Sequence, residues 1–248
     1  VQLHICGCWA PYPAVSGACS AYLIEIEEKK ILLDCGHGSF SKMQEKIEFR
    51  QLDLAVISHF HPDHYMDLPC LRHAIAGAIR LGKRKDKLPT IIPDSPKDVV
   101  STVERMDDGL EITHKVSPEG IETDLGSVKL EMRKLNHPMP SYGIALTSNN
   151  KKIVYSGDTG ESQELVLLAQ GSDLLICEAS LLERDGEYGK KTGHLTAKGA
   201  ARIAKAAGVK RLVITHLWPE YDLNELLQEA KELFPETILA QVGLTIDV

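Results

Sequence analysis

Apolar positions along this chain fall into short blocks with strand spacing, separated by longer stretches with helical spacing. Ala21 to Ile26 and Ile31 to Leu33 flank the charged tip Glu27-Glu28-Lys29-Lys30, which predicts a hairpin. Leu54-Ala55-Val56-Ile57-Ser58 is rich in β-branched residues, bounded by polar ones, and reads as a buried strand. Met66 to Leu81 has helical spacing and ends at Gly82; Ile91-Ile92 and a helix from Lys97 to Met106 follow. Strands are expected at Leu110 to Val116, Ile121 to Glu122 and Val128 to Met132. A second hairpin joins Gly143 to Thr147 with Lys152 to Tyr155 through a turn at Asn149-Asn150. Helices from Glu161 to Ala169, Thr196 to Ala207 and Asn224 to Leu233, with Gly208 as a C-terminal stop and an apolar run at Arg211 to Thr215, complete the pattern.

Strands and helices mixed in this order argue against a purely parallel α/β fold and a helical bundle and for an α+β class. Each hairpin ends in an acidic residue within a glycine-containing turn, Asp34-Cys35-Gly36 in one and Asp158-Thr159-Gly160 in the other. That likeness suggests two related β/α halves packed sheet against sheet with helices outside. At 248 residues the chain is expected to form one domain, 1–248.

Composition narrows the picture in three places. No apolar stretch approaches the roughly 20 residues needed to cross a bilayer, and Val1-Gln2-Leu3-His4 does not begin a secretory signal, so no membrane association and a cytoplasmic location are expected. Six cysteines are too sparse for a disulfide scaffold and suit a reducing compartment; Cys6-Gly7-Cys8 could bind metal but reads better as an edge-strand pair. The net charge of −7 argues against tight nonspecific nucleic-acid binding and favours a small or short substrate. The one basic run, Arg80, Lys83, Arg84, Lys85 and Lys87, reads as a solvated face that would also suit a phosphate backbone.

Candidate chemistry concentrates at strand ends. His59-Phe60-His61-Pro62-Asp63-His64 crowds three imidazoles and a carboxylate onto one turn after the strand ending at Ser58, a metal site by donor type. His137 follows the strand at Val128 to Met132, Asp158 follows Lys152 to Tyr155, and His216 ends the run Arg211 to Thr215. A lone histidine is usually a packed or surface residue, but this recurrence brings four strand ends to one expected rim.

The block His59/His61/Asp63/His64 with His137, Asp158 and His216 downstream resembles the metallo-β-lactamase superfamily, and within it the tRNase Z (ELAC-type ribonuclease Z) branch. Leu33 to Gly38 resembles that branch's Asp-Cys-Gly-Glu-Gly turn, Leu175 to Ser180 its His-Glu-Ala-Thr loop, and His194-Leu195-Thr196-Ala197 its His-Ser-Thr loop. The likeness runs from about Gly17 to Trp218. It departs in two places: Cys177 stands where a histidine is expected ahead of Glu178, and no glycine- and lysine-rich insertion is long enough to form the branch's tRNA-gripping arm.

The resemblance implies an αββα sandwich and a centre of two zinc ions, with manganese or another divalent ion as alternatives. By the family pattern His59, His61 and His137 would hold one ion, Asp63, His64 and His216 the other, and Asp158 would bridge them. Two such cations lower the pKa of a shared water and neutralise phosphodiester oxygens, so a bridging hydroxide is the expected nucleophile and neither serine nor cysteine is needed. Asp63, His194 and Glu178 are the candidate catalytic residues, His194 donating a proton to the leaving alkoxide while Glu178 fixes its tautomer. The structural alternative for His194 is a loop residue ahead of a helix that Thr196 caps unaided. Asp34 is expected to brace the metal loop. Gly36, His37, Gly38 and Ser39 offer backbone amides as an alternative phosphate cradle.

Three readings follow. The preferred one is a dizinc phosphodiesterase or ribonuclease acting on RNA 3′ ends, short oligonucleotides or cyclic nucleotides. The others are a hydrolase of thioesters, lactones or β-lactams on the same fold, and a non-catalytic metal-binding protein. The sequence leaves oligomeric state open; the resemblance implies a tendency to form a homodimer, for which exposed apolar positions around Met66 to Leu71 are the surface to inspect.

Overall fold

The computed structural model describes residues 1–149 and 151–248, so Asn150 of the expected Asn149-Asn150 turn lies outside the described residues. The chain divides into two compact units, Val1–Ser117 with Gln241–Asp247, and Pro118–Ala240 with Val248. Each contains a mixed seven-stranded sheet among the described residues.

The first unit runs β1 (Gln2–Gly7), β2 (Ala21–Ile26), β3 (Lys29–Leu33), α1 (Ser39–Met43), β4 (Leu54–Val56), α2 (Pro62–Tyr65), α3 (Leu68–Arg80), β5 (Leu88–Pro93), α4 (Lys97–Glu104) and β6 (Leu110–Val116). The C-terminal strand Thr245–Asp247 pairs outside β1, and the order continues β1-β2-β3-β4-β5-β6. The hairpin turn makes β2 and β3 antiparallel; the long connections carrying α1, α3 and α4 return β4, β5 and β6 parallel. Interior strands are apolar without alternation because both faces are buried, as in β4. Edge strand β6 instead alternates, with Glu111, Thr113 and Lys115 exposed.

The second unit runs β7 (Ile121–Leu125), β8 (Val128–Lys134), β9 (Tyr142–Ser148), β10 (Lys151–Tyr155), α5 (Gln163–Ala169), β11 (Leu174–Glu178), α6 (Gly186–Thr192), α7 (Ala197–Ala207), β12 (Leu212–Thr215), α8 (Leu223–Lys231) and β13 (Thr237–Leu239). Strands β7 to β10 form an antiparallel meander, and β11, β12 and β13 continue the sheet in parallel. Thr196 Oγ1 caps α7 by accepting the Gly199 N–H at 2.9 Å, and the helix stops where Gly208 takes φ 63°. The buried face of α7 is mostly alanine, which lets the helix lie close to β11 and β12.

The two hairpins repeat one another in detail. Asp53 Oδ2 accepts the Lys30 N–H at 2.8 Å and the Asp53 N–H goes to the Lys30 carbonyl at 3.0 Å; Asp173 and Lys152 make the same pair at 2.9 and 2.8 Å. Four residues on, Asp34 accepts the Ser58 N–H at 2.7 Å, and Ser156 Oγ accepts the Glu178 N–H at 2.9 Å. A side chain after the hairpin thus ties down the end of the next parallel strand in both units, and those ends carry the candidate chemistry.

Three expectations are revised. β1 is not an edge strand, because Thr245–Asp247 covers it. The stretch Met66 to Leu81 is helical only from Leu68, and the preceding turn at Pro62–Tyr65 is itself helical. Of the apolar positions from Met66 to Leu71, Met66 is exposed while Leu68 and Leu71 are buried.

Candidate metal centre

In the first unit the expected ligands come off the end of β4. Ile57 still donates to the Ile91 carbonyl at 2.9 Å, and the chain then turns through His61, extended at ψ 144°, into Pro62 at the start of α2. Proline suits that first helical position, where its missing N–H costs nothing, and the single turn carries Asp63 and His64. His59 and His64 are fully buried and Asp63 nearly so; the His59 and His64 ring centroids lie 4.0 Å apart, and those of His59 and His61 4.9 Å apart.

Hydrogen bonds assign protons to Nδ1 of His59 and His64. Asp34, fully buried as a carboxylate, only accepts: Ser58 Oγ–H donates to its Oδ2 at 2.8 Å and His64 Nδ1–H at 2.7 Å. The single Ser58 hydroxyl proton is therefore spent, and His59 Nδ1–H donates to Ser58 Oγ at 3.1 Å. In a neutral ring either histidine would carry its lone pair on Nε2; His59 Nε2 stands 3.1 Å from His61 Nδ1 and His64 Nε2 3.5 Å from Asp63 Oδ2. Asp34 holds φ 59°, a left-handed conformation that aspartate tolerates better than most residues. Gly36 is required by close approach: a Cβ there would lie 2.0 Å from the Asp63 carbonyl oxygen, and the adjacent Cys35 N–H donates to the His64 carbonyl at 2.8 Å. The turn after β3 thus braces the ligand loop, as expected for Asp34.

The second unit repeats this logic. His216 follows β12 directly with φ 59°, a strained backbone of the kind found at functional sites. Its Nδ1–H donates to Ser180 Oγ at 2.7 Å, and Ser180 Oγ–H donates to Glu178 Oε2 at 2.8 Å. His137 Nδ1–H donates to the Gly193 carbonyl at 3.0 Å. Burial pushes His137 below the usual histidine range, outweighing the upward pulls of Asp158 and the Gly193 carbonyl, so the ring is neutral near pH 7. Gly193 takes φ 77°, and a Cβ there would meet Pro138 Cδ at 2.6 Å and His137 Nδ1 at 3.1 Å.

Asp158, His194 and His216 each present one donor atom within 4.8 Å of the others, with His216 Nε2 at 3.1 Å from Asp158 Oδ1. His194 stacks on His216 with ring centroids 5.4 Å apart. The structure brings His194 and Glu178 together: His194 Nδ1–H donates to Glu178 Oε1 at 3.1 Å. Glu178 is fully buried and also accepts from the Thr159 N–H at 2.6 Å and the Leu195 N–H at 3.1 Å.

These residues fit divalent ions. His59, His64, His137 and His216 are each held through Nδ1, so that in a neutral ring Nε2 would be the metal donor, the outer-shell arrangement that orients zinc-ligating imidazoles. The sequence reading missed Ser58, Ser180 and Gly193 as the groups that orient those rings.

Other expected features resolve differently. The Gly36 N–H goes to the Ser20 carbonyl and the Ser39 N–H to the Gly36 carbonyl, so these two amides are not offered to a phosphate. Cys177 is fully buried in β11, where burial pushes its thiol far above the usual range. Within the basic run Arg84 is structural, donating to the Leu52 carbonyl at 3.0 Å and the Asp86 carbonyl at 2.7 Å, while Arg80, Lys83, Lys85 and Lys87 are exposed.

A family model described as a beta-lactamase superfamily domain matches residues 29–217. A ribonuclease Z of Ignicoccus hospitalis is 29% identical over 294 aligned positions that cover 96% of this chain and 95% of that protein. Because 294 exceeds the 248 residues present by 46, at least 46 positions of that alignment have no counterpart here. The crystal structure of the metallo-beta-lactamase fold protein YhfI from Bacillus subtilis superposes with a TM-score of 0.92 at 27% identity, covering 99% of this chain and 98% of that one. The human short-form tRNase Z shares the fold with a TM-score of 0.81 at 22% identity, covering 100% and 99%. In the curated sequence of the Bacillus subtilis protein, a probable metallo-hydrolase, the match spans 94% of each chain. No helix among the described residues is long and apolar enough to cross a membrane.

Proposed function

Because the chain belongs to the metallo-β-lactamase superfamily, as a hydrolase with the α+β fold of that family, we propose that it is a phosphodiesterase of ribonuclease Z type. In this reading His59, His61, Asp63, His64, His137, Asp158 and His216 would hold two divalent ions, zinc by donor type. When bound, such ions supply Lewis-acid stabilisation of phosphoryl oxygens and acidify water near neutral pH. The rest of the chemistry belongs to the chain. His194 gives the leaving oxygen its proton, and Glu178 holds Nδ1 so that Nε2 faces the reacting group. Four accepted hydrogen bonds keep the buried Glu178 carboxylate in place, so the imidazole it holds is oriented before substrate arrives.

The observation that carries this reading is the His194–Glu178 pair standing beside Asp158 and His216. A carbonyl substrate with a good leaving group has no need of an acid there, whereas an alkoxide leaving from phosphorus does. The net charge of −7, and at least 46 positions of the Ignicoccus relative that have no counterpart, favour RNA 3′ ends, short oligonucleotides or cyclic nucleotides over a long duplex.

The test is hydrolysis of bis(p-nitrophenyl) phosphate, dinucleotides and RNA by the metal-loaded protein, with His194→Ala beside it. Replacing His194 should lower turnover of unactivated diesters by about 10²–10⁴ with metal content unchanged. Thioester or lactone turnover far above diester turnover would move the chain to the carbonyl-hydrolase reading. Metal binding without any turnover would leave a non-catalytic metal protein.

A further inference from the structure

Building on the phosphodiesterase reading, we infer that the exposed face of α3 and the basic turn after it form a track for single-stranded RNA, leading the strand away from the ligand loop of the first unit. The eight residues Arg80 to Lys87 hold five cations and one carboxylate, a sum of +4, so the rest of the chain sums to −11 against a total of −7. Arg80, Lys83, Lys85 and Lys87 are exposed and make no ion pair among the described residues. Elsewhere Arg184, Lys190 and Arg202 each meet a carboxylate. A helix dipole attracts cations only within its last turn, and α3 ends at Arg80, five and seven residues before Lys85 and Lys87.

Both ends of the track are fixed. The Asp67 N–H donates to the Cys35 carbonyl at 2.9 Å and the Cys35 N–H to the His64 carbonyl at 2.8 Å, which ties the start of α3 to the ligand loop. At the far end Arg84 donates to the Leu52 and Asp86 carbonyls and the Lys83 N–H to the Ala78 carbonyl at 2.9 Å, so the turn is ordered before any partner arrives. Between them, Leu68 to Lys85 contains no acidic residue, and Asp108, which meets α3, is paired with Arg72. The exposed face with Met66, Cys70 and His73 thus leads from the ligand loop to four unpaired cations without a carboxylate of its own. The thirteen residues of α3 span about 20 Å at about 1.5 Å each, which is roughly six nucleotides of a stacked strand at about 3.4 Å each.

Charge and area select the occupant. The −11 carried by the rest of the chain repels a duplex or an anionic membrane, whose charge is spread widely, whereas a flexible strand can follow one acid-free path. A second copy of this chain fits less well. Met66 and Leu81, the large apolar side chains exposed here, stand fifteen positions apart, too sparse for the apolar core of a dimer interface.

The test compares the dinucleotide UpU with an oligouridylate of about twelve residues. Anisotropy of the labelled longer strand with metal-free protein should show binding with a log–log salt slope of about −3, from four neutralised phosphates at about −0.7 each. Lys83→Ala, Lys85→Ala and Lys87→Ala together should flatten that slope by about 2. In metal-loaded protein the triple variant should raise KM for the longer strand about tenfold, with kcat and UpU turnover unchanged. Gly77→Glu sets a carboxylate midway along α3. A Cβ there meets nothing within 4 Å and glutamate suits a helix better than glycine, so the fold is kept and KM for the longer strand should again rise. The longer strand, but not UpU, should also slow alkylation of the exposed Cys70. If no diester is hydrolysed while salt-dependent binding persists, the phosphodiesterase reading fails and the RNA surface stands. If diesters are hydrolysed but KM does not respond to strand length, the triple variant or Gly77→Glu, the track alone is overturned. It is overturned equally if these variants instead dissociate a dimer in sedimentation, or release the protein from phosphatidylserine vesicles, with KM for the longer strand unaltered.

Discussion

His216 donates its Nδ1 proton to the hydroxyl of Ser180 across 2.7 Å, although the two residues stand 36 positions apart. The hydroxyl passes its own proton to Glu178, the carboxylate that also holds His194. One buried acceptor therefore orients a candidate ligand through a relay and a candidate acid directly. Ser180→Ala should free the His216 ring and lower affinity for the ion it holds by about 10–100-fold, whereas Ser180→Thr should restore most of it. Titration of metal-free protein with zinc against a chelating indicator reads the change; equal affinity in all three proteins would show that the relay has no part in ligand orientation.

Asp34 stands in the same relation to His64 and Ser58, without the intermediate relay for His64. It is fully buried and accepts from the Ser58 N–H, the Ser58 hydroxyl and His64 Nδ1. Asp34→Ala strands three buried donors and places alanine at φ 59°, so it should destabilise the metal-free protein by about 3–5 kcal/mol. Asp34→Asn keeps an acceptor and suits that backbone, and should cost about half as much. Urea unfolding of the three metal-free proteins checks the order, and an alanine variant within error of wild type would refute it.

What could be read from the sequence is what is encoded locally. The hairpin at β2 and β3 shows itself by its charged tip, and the loop His59 to His64 by crowding its donors into one turn after an apolar strand. The outer shell is different. His137 meets Gly193 across 56 positions and His216 meets Ser180 across 36, so neither partner has any signature of its own. β1 looked like an edge because the strand that covers it comes from the far end of the chain. Helix α6, Gly186 to Thr192, has no apolar stripe at all. It is held by tertiary packing, with Gly189 so close to the His194 carbonyl that a Cβ would sit 2.7 Å from its oxygen.

The thiols give a prediction about accessibility. Burial pushes Cys6, Cys8 and Cys19 up to about 12, and Cys35 and Cys177 are fully buried with thiols also raised by burial, whereas Cys70 is exposed on α3. At pH 8 a thiol with a pKa near 12 is ionised in only about one molecule in 10⁴, and the thiolate is the reactive form. Iodoacetamide should therefore add one group to the native protein, at Cys70, and six after unfolding in guanidinium. Cys70→Ser should abolish native labelling; a second native adduct forming at a similar rate would contradict the buried placement of the others.

Acid stability should report the Asp173 clasp between β10 and β11. Burial alone would raise the Asp173 carboxyl, but the Lys210 ammonium at 2.8 Å, the Lys152 N–H at 2.9 Å and the charge of Lys151 outweigh it and hold the group below the ordinary carboxylate value. A carboxyl whose folded value lies below its unfolded one contributes stability that is fully present above the unfolded value, near 3.9, and disappears as pH falls through the folded value. Wild type should therefore lose stability relative to Asp173→Asn as pH is lowered from about 5 toward 2, the gap between them closing in that window. Denaturant unfolding of both proteins at stepped pH measures the gap. Curves that stay parallel throughout would mean that the aspartate's charge contributes nothing to joining the two strands.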